Sequence, residues 1–278
     1  MAGSRMTTTS HRTVLDSTAI LTIVTAATFV FVATNRWEAF VLCGAPDPRL
    51  PHDDRMTTVN ADGTDAGRLR LAATGGLVFV TLYVVHRVLQ GGGPSAGDPA
   101  TVAAYNVAHR GALLGSEIAL GLALLAFLVF LCPLVPVLWR AGQETIAVAV
   151  LATGVVFIAM GFVSSTAETA LVAVADSNQP AAVDALNQLQ GRVPNVLATA
   201  ALSATVALAA FRGRLVWRWL GYVSAVAAAV FGLGFVFSVV GKTPEGGSSI
   251  FGIAAFIIWM LLVTAGLWRA ATGSAGAD

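Results

Sequence analysis

Glu117 and Glu168 are the residues whose type and setting could do chemistry. Each is a carboxylate inside a long apolar run, and the two runs flank a short polar turn over residues 140–144. Ionisable side chains within membrane-length segments are costly and mark candidate functional positions. At about 1.5 Å per helical residue, both carboxylates fall roughly 33–35 Å from the turn, at similar depth near the outer boundary of a bilayer. Gly161, Ser164, Ser165 and Glu168 share one helical face by the i, i+3, i+4, i+7 rule. Ser116, Glu117 and Gly121 form a matching small and polar strip, with Arg110 two turns further out. Small residues let helices approach closely and leave room for a polar pocket. Two carboxylates in one low-dielectric site cannot easily both ionise, which suits proton exchange or binding of a cationic ligand. The predicted ligand-binding set is Glu117, Glu168, Ser164, Ser165, Ser116 and Arg110. A plainer role fits the same residues: glutamates near helix ends can reach the headgroups, or pair with an arginine such as Arg110.

The elements that must position these residues follow from composition. The chain of 278 residues is 56% hydrophobic and 11% charged, against about 25% charged in an ordinary soluble domain. So much apolar surface cannot be hidden inside one water-facing globule, and the chain reads as an integral membrane protein. A net charge of +1 argues against nucleic acid, whose binding needs a basic patch. Spanning helices need roughly 20 mostly apolar residues. Segments 14–34, 69–89, 111–139, 145–175, 193–211, 220–240 and 250–269 meet that length. The expected fold is therefore an all-α polytopic bundle of about seven transmembrane helices. It comprises a polar tail (1–13), one membrane domain (14–270) with a long polar loop (36–68), and a C-terminal tail (271–278). The first apolar run reads as an uncleaved helix, since no small-residue cleavage site closes it. Short helices are predicted from Pro99 and over residues 180–190. The second has Val183, Leu186 and Leu189 at helical spacing, so it should rest on the membrane surface.

Other residues that carry chemistry elsewhere have plainer settings here. Cys43 and Cys132 are too few for a disulfide framework, and Cys132 reads as a small buried hydrophobe. Pro133 and Pro136 should kink, unwind or stop the inner end of the third span. His86 and His109 could in principle ligate a haem, but each sits beside an arginine at a helix end and reads as an interface residue. No catalytic constellation, metal-ligand spacing or cofactor motif emerges, and the sole lysine, Lys242, lies in a loop, where it cannot serve a retinal Schiff base.

Cytoplasmic loops are enriched in Lys and Arg. With the N-terminus outside, the inner side carries Arg36, Arg49, Arg55, Arg68, Arg70, Arg140, Arg212, Arg214, Arg218 and Arg269. The outer side keeps Arg5, Arg12, Arg87, Arg110, Arg192 and Lys242. Trp37, Trp139, Trp217, Trp219 and Trp268 all fall at predicted inner ends, where aromatic rings suit the headgroup level. The expected location is thus a bacterial plasma membrane, with the C-terminus cytoplasmic.

Several features resemble a loosely defined group of uncharacterised multi-pass membrane proteins of high-GC bacteria. They are the Leu/Ala-rich third span ending in Trp139 and Arg140, the long fourth span, the basic turn over residues 214–221, and the last span with Ile258, Trp259, Trp268 and Arg269. The resemblance covers roughly the last 60% of the chain by pattern more than by exact motif. It implies a multi-helix membrane fold and brings no activity or catalytic residue with it. The expected function is a non-enzymatic one: small-molecule or ion handling, or a membrane accessory subunit, with an outward-facing carboxylate pocket. Its partners would be the bilayer and either another membrane protein or a second copy of the chain. The alternative is a membrane-embedded enzyme acting on a lipid or quinone.

Overall fold

A computed structural model describes residues 63–93, 98–177, 179–192, 195–212, 218–239 and 250–273. The predicted N-terminal tail, the first span (14–34) and nearly all of the long loop lie outside the described residues, as do Trp37, Cys43, Arg214 and Trp217. Eight helices account for almost everything described: α1 (Gly63–Gln90), α2 (Pro99–Ala108), α3 (Arg110–Arg140), α4 (Glu144–Val174), α5 (Pro180–Arg192), α6 (Asn195–Arg212), α7 (Arg218–Val239) and α8 (Ile250–Gly273). No strand occurs among the described residues, and the fold is an all-α helical bundle. Among the described residues, six segments are long and apolar enough to cross a membrane: α1, α3, α4, α6 taken with the α5 before it, α7 and α8.

The surface agrees with that composition. Val88, Ile118 and Phe251 are 73%, 68% and 85% exposed. Large apolar side chains turned outward at this density would be unfavourable in water and suit hydrocarbon. The chain is built as a membrane-embedded protein.

α3 and α4 pack in opposite directions, Leu131 on Gly154 and Leu124 on Gly161. The turn between α3 and α4 is three residues, and Gly142 adopts φ 71° there, a backbone conformation that side-chain-bearing residues disfavour. The amides of Ala141, Gly142 and Gln143 close on the carbonyls of Val137, Trp139 and Leu138, so the end of α3 leaves few orphan acceptors. Pro99 opens α2, where its missing N–H costs nothing.

Two expectations about helix ends are corrected. The second span was expected from about residue 69, with Arg68 and Arg70 crowding its start; α1 begins at Gly63 instead. Asp65 explains the difference. It pairs with Arg68 at 3.5 Å and with Arg140 of α3, so the first turns of α1 carry their charge in ion pairs. Pro133 and Pro136 neither end nor unwind α3, which stays helical to Arg140. Pro133, Val135, Val137 and Leu138 are buried, and packing against neighbouring helices holds the segment where local hydrogen bonding alone would falter. Cys132, expected to be buried, is exposed on the outer face of α3.

The core that sets the helix positions is aromatic and small-residue packing together. Phe79 of α1 meets Phe127 of α3 at 5.2 Å, Phe157 of α4 at 6.2 Å and Phe256 of α8 at 5.8 Å between ring centroids. One ring thus ties four helices. Gly75 lets α1 lie directly on the α3 backbone, and Gly154 and Gly161 of α4 receive Leu131 and Leu124 of α3. Near the middle of the bundle Thr153 and Thr205 share a 3.1 Å hydrogen bond between α4 and α6. The indole N–H of Trp259 in α8 donates to Ser224 of α7 at 3.0 Å.

Candidate functional site

The end of the bundle opposite the α3–α4 turn gathers the polar residues. The last turns of α1 bring Tyr83, His86, Arg87 and Gln90 against the start of α3 and the end of α4. The helical spacing of 3 and 4 places them close together on one side of α1. α2 and α5 cover this end: Val102, Leu171 and Val183 form a small apolar cluster, with Leu186 packed beside it. So α5, expected to rest on a membrane surface, is also docked onto α2 and α4 by its apolar face.

Glu117 and Glu168 are both buried, and Ser116 is wholly so. Glu168 is densely bonded. The side-chain amide of Gln90 donates to both its oxygens, at 2.8 and 2.9 Å, and the amide of Gln190 from α5 donates to Oε2 at 2.9 Å. Gln90 in turn accepts from the Arg87 guanidinium at 2.6 Å. That contact settles which end of the amide faces the carboxylate: its oxygen meets Arg87, and its N–H groups meet Glu168. Arg87 also donates twice to the Tyr83 hydroxyl, at 3.2 and 2.9 Å, and lies over the Tyr83 ring at 5.2 Å. The hydroxyl of Tyr105 in α2 donates to the Gln90 carbonyl at 3.0 Å.

Glu117 is bonded sparsely by comparison. Its side chain is 7% exposed, and its Oε1 lies 3.9 Å from His86 Nδ1. That nitrogen sits 3.0 Å from the Ser116 carbonyl; a carbonyl only accepts, so Nδ1 carries a proton and donates it there. Ser116 Oγ is 3.4 Å from Glu117 Oε1 but only 2.7 Å from the Leu113 carbonyl. Ser165 and Glu168 approach Glu117 from α4. Neither closes a hydrogen bond on Oε2, which is buried without a partner.

The predicted residues thus separate. Glu117, Glu168, Ser116 and Ser165 converge. Ser164 is half-buried one position around α4. Arg110 is elsewhere: it pairs with Asp176 at 3.2 Å, both side chains more than half exposed, in a clasp between the start of α3 and the residues after α4. It does not neutralise either glutamate. The residues that sequence reasoning passed over are His86, Arg87, Gln90 and Gln190. The signal was present in the polar closing turn of α1, where residues 83, 86, 87 and 90 recur at helical spacing. His86 and Arg87 were expected at the interface, yet His86 is 3% exposed. His109 is the interface residue, exposed and stacked on Tyr105 at 4.2 Å. No group of three His, Cys, Asp or Glu side chains able to hold a metal ion occurs among the described residues.

Two cavities among the described residues lie apart from the carboxylates. One, of about 330 Å³, is lined by Ala152, Val156 and Met160 of α4 with Leu197 and Ala201 of α6. The other, of about 210 Å³, runs between α7 and α8. Both are apolar and face outward, as lipid-filled grooves do. Comparison with protein families, curated proteins and solved structures finds no match to this chain.

Proposed function

We propose that this chain is a non-enzymatic integral membrane protein that takes up and releases protons at the Glu117–Glu168 pair. The observation that carries the reading is Glu117 Oε2, a carboxyl oxygen buried without a partner beside a second buried carboxylate. Arg87 is held one amide away, on the far side of Gln90. A pair of acidic groups with one formal cation behind them has room for one more positive charge, and a proton is the cation that fits packed surroundings.

The location belongs to the same proposal. The chain sits in a bacterial plasma membrane with this site toward the outside and the C-terminus cytoplasmic. Arg68 and Arg140 meet at Asp65 at the opposite end, and this reading assigns Arg70, Arg212, Arg218 and Arg269, all near helix ends, to the same side. Kinship with the uncharacterised multi-pass proteins of high-GC bacteria remains part of this reading, on the residues named for it above.

Vesicles containing the purified full-length protein and a trapped pH-sensitive dye test the reading. With an imposed pH gradient, wild-type vesicles are expected to equilibrate faster than empty ones. Glu117→Gln and Glu168→Gln should each return the rate to that of empty vesicles. Equal rates for wild type and both variants would end it.

A further inference from the structure

The two glutamates are not equivalent, and their hydrogen bonds say which one does what. Glu168 receives three N–H contacts from two amides, spread over both oxygens. Such donors stabilise a carboxylate. Behind Gln90, the Arg87 guanidinium completes a cation–amide–anion chain. Glu168 and Arg87 therefore form a matched charge pair joined through an amide.

Glu117 has the opposite surroundings. Two hydroxyls come near Glu117, those of Ser165 and Ser116, and the Ser116 hydroxyl has a single proton. At 2.7 Å from the Leu113 carbonyl against 3.4 Å from Glu117, that proton goes to the backbone. Ser116 then offers Glu117 only lone pairs. His86 Nδ1 gives its proton to the Ser116 carbonyl. Oε2 receives nothing. An ionised Glu117 would be a buried anion with the Ser165 hydroxyl as its one full side-chain donor, beside a second anion, whereas a protonated Glu117 has an O–H to offer Glu168.

We infer that Glu117 is the residue that carries the exchangeable proton, while Glu168 is the carboxylate that Gln90 and Gln190 hold in place. This assignment rests on the proton-handling reading of the pair. In the exchange step the Glu117 O–H bond breaks, the proton passes to a water reaching the Gln90 end, and both carboxylates are then charged. Nothing is oxidised or reduced. Among the described residues, the charged and titratable groups facing the pair are His86 and Arg87 from α1, with Gln190 from α5 and Ser165 from α4 as uncharged partners. The hydroxyl of Tyr105 from α2 reaches the pair only through the Gln90 carbonyl. Gln90 and Gln190 act through Glu168 and are positioning residues.

Infrared difference spectra against pH, taken on the full-length protein in lipid nanodiscs, read this directly through the C=O stretch of a protonated carboxyl. The wild type should show such a band at neutral pH and lose it on alkalinisation. Glu117→Gln leaves only the amide-held Glu168, so any remaining band should appear only in acid. Glu168→Gln leaves donor-poor Glu117, whose band should persist to higher pH than that of Glu117→Gln. The reverse order would overturn the assignment while leaving the proton reading intact. A wild-type protein with no titrating carboxyl band would sink both. Gln90→Leu supplies a variant that keeps both glutamates. It strips N–H donors from the anion, so the pair should hold its proton more tightly and the wild-type band midpoint should move to higher pH. An unchanged midpoint would count against Gln90 as the holder of the anion, and against the assignment.

Discussion

At the residue scale, the site is decided by donor counting rather than by which charges are present. A histidine, an arginine and two carboxylates lie within a few ångströms, yet the arginine touches neither carboxylate directly, and its charge reaches Glu168 through an amide. His86 is the residue most exposed to test. Its Nδ1–H satisfies the buried Ser116 carbonyl at 3.0 Å and faces Glu117 at 3.9 Å. His86→Phe keeps ring volume and removes that donor. A loss of about 0.5–1.5 kcal/mol is expected from removing one buried hydrogen bond whose acceptor keeps its helical N–H, read as a lower melting point in detergent. The same variant should shift the carboxyl band to higher pH, because the anionic form of Glu117 loses its nearest N–H. A band that stays put would show that His86 supports the backbone alone.

At the element scale, α1 matters most, because it contributes Gln90 and His86 to the site and Phe79 to the core. Its closeness to α3 depends on Gly75, where an added Cβ would lie 2.6 Å from the Phe130 nitrogen and 2.9 Å from the Val129 carbonyl carbon. Those are backbone atoms and cannot rotate away, so the helices would have to separate. Gly75→Ala should destabilise the fold by about 1–3 kcal/mol as an overpacking change, whereas Gly67→Ala, with open space around it, should be neutral or slightly stabilising through helix propensity. Thermal unfolding of the two variants in the same detergent makes the comparison. Equal melting points would mean that α1 and α3 are not held at this distance in the folded protein. On the far side of the bundle, Ser224→Ala would leave the buried Trp259 indole N–H without its acceptor. The expected cost is about 0.5–2 kcal/mol, in the range for hydrogen bonds between membrane helices.

At the scale of the whole molecule, the bundle is chemically two-ended. One end joins α1 to α3 through Asp65, Arg68 and Arg140. The other buries the carboxylate pair beneath α2 and α5. The proposed orientation predicts opposite labelling of these ends. In a background with Cys43 and Cys132 replaced by serine, Gly92→Cys beyond the end of α1 should react with a membrane-impermeant thiol reagent on intact cells. Glu144→Cys, at the start of α4 and exposed, should react only after the cells are opened. The opposite pattern would place the carboxylates on the cytoplasmic side and reverse the direction from which protons arrive.

The helical class, the apolar spans from residue 63 onward and the α3–α4 hairpin could be read from residue order, because apolar runs of spanning length, punctuated by charge, glycine and proline, leave few other folds. The equal depth of Glu117 and Glu168 also followed, since helical rise converts a residue count into a distance. The chain order could not show that Arg110 would go to Asp176, or that Gln90 and Gln190, 100 positions apart, would meet on one carboxylate. Those pairings depend on which turn of one helix faces which turn of another. That register was decided by tertiary contacts: Gly75 against the α3 backbone, and Phe79 among the rings of three other helices. The two buried glutamates were legible as residues, but their division of labour became visible only once the hydrogen-bond donors around each could be counted.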